Sequence, residues 1–68
     1  MAELSPKQQS MRLAIFQFKR RKGYSPTVRE LSVITGRSVT ATQALIDQLV
    51  RKGSAVRERN VPRSLSLT

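Results

Sequence analysis

Residues 36–45 read Gly36-Arg37-Ser38-Val39-Thr40-Ala41-Thr42-Gln43-Ala44-Leu45, or GRSVTATQAL. The stretch opens on a glycine, and after Arg37 it mixes hydroxyls, an amide and small apolar residues. Two readings compete: an ordinary half-polar helix start, or a surface that reads another molecule. The residues downstream make it the start of a helix. Ser38 and Thr40 are both N-cap residue types. At about 100° per residue, Val39, Thr42, Leu45, Ile46, Leu49 and Val50 gather on one side. Thr40, Gln43, Ala44, Asp47 and Arg51 gather on the other. This helix is predicted to run to about Lys52, with Gly53 as its C-terminal stop.

Working outward, Thr27 and Glu30 make a capping box, TVRE, for a shorter helix from about Val28 to Thr35. Leu31, Ile34 and Thr35 are expected on its inner face with Val28 beside them, and Gly36 ends it. A first helix opens at Leu4-Ser5-Pro6, with Ser5 as N-cap and Pro6 where a missing N–H costs nothing. Met11, Ala14, Ile15 and Phe18 form its apolar face. Lys19, Arg20, Arg21 and Lys22 complement the helix dipole before Gly23 stops it, and exceed what that requires. After Gly53 the character changes. Val56 and Val61 are β-branched, Ser64-Leu65-Ser66-Leu67 alternates, and Asn60 and Pro62 supply turn chemistry. These predict two short antiparallel strands around a tip near Arg59–Arg63. The fold class expected is mainly α with small β: three helices followed by a two-stranded hairpin. Residues 1–68 read as a single domain, without repeats or linkers.

Composition narrows the function. A chain of 68 residues buries only about 60% of its unfolded surface, so its core is thin. It has no cysteine and no histidine, and Glu3, Glu30, Asp47 and Glu58 are scattered. No metal cluster, cofactor site or paired acid and base emerges, so the chain reads as a non-enzyme. Thirteen Lys/Arg against four Asp/Glu give a net charge of +9. That points to polyanions, nucleic acid above all. No apolar run approaches a spanning helix and MAELSPKQQS is no signal peptide, so no membrane role and a cytoplasmic location are expected.

Two helices joined tightly at Gly36, the second longer and faced with small polar residues, make a helix-turn-helix. With a helix before and a hairpin after, the domain becomes a winged helix-turn-helix. A recognition helix fits the major groove only if its outer residues are short. Thr40, Gln43 and Ala44 satisfy this, and the Gln43 amide is suited to adenine N6 and N7. Thr27, Arg29, Arg37, Arg51, Lys52, Arg57, Arg59 and Arg63 surround that face as candidate backbone contacts, which position without specifying sequence.

The layout resembles the N-terminal domain of LexA repressors. The resemblance rests on Leu4-Ser5-Pro6-Lys7-Gln8-Gln9, on Pro26-Thr27, on Gly36-Arg37-Ser38 and on Arg51-Lys52-Gly53, and covers nearly the whole chain. It implies a DNA-binding transcription regulator whose third helix reads bases through Ser38, Thr40, Ala41, Gln43 and Ala44. It also implies a wing that meets the backbone through Arg59, Asn60 and Arg63. The family usually has asparagine at the Thr40 position and acidic residues at Gln43 and Ala44, so the resemblance implies a different operator. The family's small glycine-bearing wing tip is replaced by Asn60-Val61-Pro62. LexA repressors carry a second domain that dimerises and cleaves itself. This chain is expected not to do so, and to act as a stand-alone regulator of prokaryotic or phage type. Double-stranded DNA is the expected partner, with a homodimer meeting palindromic half-sites on it.

Other residues carry a different reading. Leu13 and Phe16 lie off the main apolar face of the first helix. They are expected to widen that face under the hairpin. The alternative is an exposed patch for dimerisation or a protein partner, as in a small module that modulates a repressor or the transcription machinery. Lys19–Lys22 are assigned to the electrostatic footprint, Tyr24 to a half-buried turn, and Asp47 to the outer face of the third helix.

Overall fold

The computed structural model describes residues 3–58 and 61–68. Three helices are followed by a short hairpin: α1 spans Pro6–Lys22, α2 Val28–Thr35 and α3 Val39–Arg51, with β1 at Ala55–Val56 and β2 at Ser66–Leu67. Each helix starts where a hydroxyl satisfies backbone donors that the first turn leaves open. The Ser5 hydroxyl accepts from Gln8 N, and Gln8 returns its Oε1 to Ser5 N at 2.9 Å. Thr27 and Glu30 close the same reciprocal box on α2. Of the two candidate caps for α3, Ser38 holds the position, accepting from Ala41 N at 3.0 Å. The link from α2 to α3 turns on Gly36, whose φ of 68° lies in the left-handed region that glycine tolerates best. Arg37 N then donates to Ser32 O at 3.0 Å, closing the turn.

α3 runs through the centre of the packing. Its Leu45, Ile46 and Leu49 are buried against Met11 and Ile15 of α1, Leu31 of α2, and Ala55 and Leu65 of the hairpin region. The strands pair antiparallel, Ala55 opposite Leu67 and Val56 opposite Ser66. Pairing stops after two residues in each strand, so Val61, expected to help build the hairpin, stands outside both strands. Below the wing, Ser64 Oγ accepts from Glu58 N at 2.9 Å and donates to Glu58 O at 3.1 Å, which closes the neck of the loop.

Three expectations about the core change. Ile34 is 55% exposed, and Ser32 is buried in its place. The inner stripe of α2 is Val28, Leu31, Ser32 and Thr35, one helical step round from the stripe expected. Ser32 tolerates burial because its hydroxyl donates to Arg29 O at 2.6 Å. Val39 is 44% exposed, since it sits in the first turn of α3 at the rim of the apolar stripe. Leu13 and Phe16 are 53% and 48% exposed. They point away from Met11, Ile15 and Phe18, and the hairpin seats Ala55 and Leu65 in the core instead of covering them.

Thr42 is fully buried on the inner side of α3, and its Oγ1 has no hydrogen-bond partner among the described residues. A buried hydroxyl without a partner costs about 1–3 kcal/mol. Thr42→Val keeps the β-branch and replaces the hydroxyl by a methyl. It is expected to stabilise the domain by about 1 kcal/mol, read as a higher urea midpoint at unchanged slope. A midpoint that stays or falls shows that the hydroxyl is satisfied.

Candidate nucleic-acid interface

The outward side of α3 is set by the same periodicity that builds its core side. Thr40, Ala41, Gln43 and Ala44 are all exposed. None of them is large, so the helix backbone stands open to close approach. Ser38 is also exposed, but its hydroxyl is occupied as the N-cap of α3. A base contact through Ser38 would compete with that cap.

A cleft of about 750 Å³ runs beside this face, between α3, the start of α2 and the wing. Thr27, Gln43, Asp47, Arg57, Arg63 and Ser64 are among its walls. The basic and polar residues that the sequence assigns to a DNA backbone divide in the structure. Arg29 and Arg51 are exposed, Arg37 is half-buried, and the side chains of Arg29, Arg37 and Arg51 make no hydrogen bond among the described residues. Arg37 even shelters an Nε donor that finds no acceptor there. Arg59 and Asn60 lie outside the described residues.

The others are engaged within the protein. Thr27 spends its hydroxyl on Glu30 N at 3.1 Å. Lys52 departs furthest from the expectation. Its Nζ donates to Glu3 O at 2.7 Å and to Gln8 Oε1 at 2.8 Å, on the α1 side of α3. Gln8 in turn donates to Gln48 at 2.7 Å. Lys52 thus ties the end of α3 to the start of α1. Its periodicity gave a hint, because Gln48 and Lys52 fall together on the flank of the helix between its two faces.

Arg57 donates to Asp47 Oδ1 at 2.6 Å. Asp47 thus keeps its place on the outward side of α3, but as a half-buried ion-pair partner rather than a freely solvated one. Arg63 forks onto Glu30, at 2.9 Å to Oε1 and 3.2 Å to Oε2, and also donates to Ser25 O at 3.0 Å. Its guanidinium lies 4.6 Å from the centre of the Tyr24 ring, which meets Phe18 edge-on at 5.7 Å. Arg63 adopts a left-handed backbone, φ 58°, as it makes these contacts. Sequence reasoning placed Arg63 on DNA and missed this latch. The signal lay in Glu30, a carboxylate already fixed by its capping box and so ready to receive a fork.

The comparisons with known proteins fit this geometry. No protein-family profile matches the chain. A LexA repressor from Oleidesulfovibrio alaskensis (strain ATCC BAA-1058 / DSM 17464 / G20) is 39% identical over 66 residues, an alignment covering 97% of this chain and 32% of the relative. The alignment falls on the N-terminal part of that repressor, so the chain is similar to a LexA N-terminal domain. It spans about a third of the length of that curated relative. The fold is that of a winged helix-turn-helix, with α2 and α3 as the helix-turn-helix and β1–β2 as the wing.

The Glu30 latch gives the fold a measurable acid sensitivity. The Thr27 backbone N–H first, and the Arg63 guanidinium next, hold the Glu30 carboxyl below the ordinary glutamate range. A carboxylate lowered on folding contributes stability that is complete above its unfolded value of about 4.3. That contribution fades as pH falls through the lowered folded value. Glu30→Gln is expected to lower the thermal midpoint at neutral pH and to flatten its decline below about pH 4.3. Parallel midpoint curves for the two proteins below that pH would show that the latch is not linked to protons.

Proposed function

We propose that the chain is a sequence-specific double-stranded DNA-binding domain of a transcription repressor. On this reading α3 enters the major groove and the basic surface around it meets the backbone. One observation carries the reading: the N-terminal part of the outward side of α3 presents the small residues Thr40, Ala41 and Ala44 together with the amide of Gln43. Hydroxyl, methyl and amide are the groups that base edges in the major groove discriminate. Arg37 ahead of α3 and Arg51 at its end flank this face, and the net charge of +9 supplies the attraction. The name of the relative, a repressor, agrees.

The phosphate set on this reading is Arg29, Arg37 and Arg51, with Arg59 and Asn60 from the sequence between the two strands and Arg57 where it can leave Asp47. Ser38 and Thr27 contribute through the helix ends that they cap. Two copies meeting palindromic half-sites would supply the affinity that one recognition helix lacks. A bacterial or phage cytoplasm is the setting in which such a domain works.

A second reading is favoured by Leu13 and Phe16. They stay exposed beside a groove of about 570 Å³ that Leu4, Arg12 and Thr68 also line. That is the surface a protein-interaction module would use.

Selection of bound duplexes from a random pool tests both readings. A recovered motif with two-fold symmetry is expected. Gln43→Ala should relax one position per half-site, with a loss of about 1–3 kcal/mol of discrimination there. Recovery of no motif, with a protein partner lost on Phe16→Ala, would favour the interaction module. Arg51→Ala should reduce the log–log salt slope by about 0.9 per domain. Lys52→Ala should leave that slope unchanged and lower the thermal midpoint, because it unties α3 from α1.

A further inference from the structure

Asp47 stands on the outward side of α3, one helical turn beyond Gln43. A carboxylate is an unexpected group to offer a polyanion. Its Oδ1 accepts a single bond from Arg57 Nη2, and the two side chains remain 42% and 29% exposed respectively. Arg57 makes no other side-chain hydrogen bond among the described residues, so one half-buried contact holds it. Both residues line the cleft that also holds Gln43 and the foot of the wing. The guanidinium thus covers a negative charge that would otherwise repel phosphate, while its remaining donors stay open.

Resting on the DNA-binding reading above, we propose that Asp47 and Arg57 form an exchangeable pair that sets discrimination between DNA sequences. On DNA, Arg57 leaves Asp47 for a phosphate oxygen. The uncovered carboxylate then needs a donor, and the cytosine amino group is the major-groove donor that carboxylates accept from. Over a cytosine in the right register, both partners exchange one bond for another. Over a base that offers no amino donor in reach, either Arg57 stays on Asp47 and a phosphate contact is lost, or Asp47 stands uncompensated among phosphates. The pair therefore weakens binding to arbitrary sequence more than binding to the operator. A static strut between α3 and the wing would lack this asymmetry.

The test compares the wild type with Asp47→Asn, Arg57→Gln and the double variant. Each is titrated onto the duplex recovered by selection and onto its scrambled counterpart, between 50 and 200 mM salt. Asp47→Asn is expected to raise affinity for the scrambled duplex about two- to fivefold at the low-salt end, the worth of a half-exposed ion pair. The salt slope on that duplex should steepen by about 0.9 as Arg57 becomes a full phosphate contact. The gain should be smaller on the selected duplex, so the ratio between the two narrows. In the Arg57→Gln background, Asp47→Asn relieves only the repulsion of the bare carboxylate and should not steepen the salt slope by a phosphate contact. Arg57→Lys, which keeps the charge, should retain the wild-type ratio more closely than Arg57→Gln.

Unchanged affinities and slope on Asp47→Asn would make the pair a static strut. A salt slope that steepens on Asp47→Asn equally with and without Arg57 would mean that the carboxylate acts by repulsion alone, and would also overturn the exchange. A wild type that binds neither duplex overturns the DNA-binding reading itself, and is told apart because no variant is needed to see it.

Discussion

The buried side of α3 is the constraint on which the rest of this domain depends. Leu45, Ile46 and Leu49 are the residues against which α1, α2 and the hairpin region all pack. α1 lines the same core through Met11, Ala14 and Ile15. A helix that packs on three partners has one free side, and here that side carries Thr40, Ala41, Gln43 and Ala44. Packing and presentation are therefore two aspects of one periodicity. A substitution that rotates the apolar stripe of α3 would move the outward residues with it. The same argument explains why Thr42 is buried despite its hydroxyl: its place on the wheel belongs to the core, whatever its chemistry.

Most of the helical framework was legible in the sequence because local chemistry fixes it. Ser5, Thr27 and Ser38 start helices for reasons internal to a few residues, and Gly36 breaks one for the same kind of reason. The errors arose where tertiary context decides. Val28, Leu31, Ser32 and Thr35 and the stripe through Ile34 are neighbouring choices on one short helix, and hydropathy favours the wrong one. Only the Ser32–Arg29 carbonyl bond makes the right one cheap. Leu13 and Phe16 misled for the opposite reason. Hydropathy predicts burial, but the hairpin fills its own place in the core and leaves them outside.

The candidate site was legible on α3 and much less so around it. Outward residues on a helix follow from angle alone, whereas a basic residue has no preferred destination in sequence. Lys52 and Arg51 are adjacent and alike in charge, yet one anchors α1 and the other faces solvent. Charge counting assigned both to phosphate. The side chain's partner, which sequence cannot show, decides between the two roles. With acidic residues so scarce, each carboxylate fixed on a helix becomes a destination for some arginine. Glu30 and Asp47 collect Arg63 and Arg57 in this way.

These two ion pairs fasten the wing unequally. Strand pairing contributes little, since each strand is only two residues long. Arg63 has a forked carboxylate, a carbonyl and an aromatic face, so several contacts must fail together before it moves. Arg57 has a single bond to a half-exposed partner, of the sort worth about 0–1 kcal/mol. A polyanion that approaches the cleft competes with both carboxylates for their arginines. It meets its lesser resistance at Arg57, on the side of the wing nearer α3. The Arg63 latch can therefore keep the wing attached to α2 while Arg57 changes partner, and that inequality permits exchange without loss of the fold.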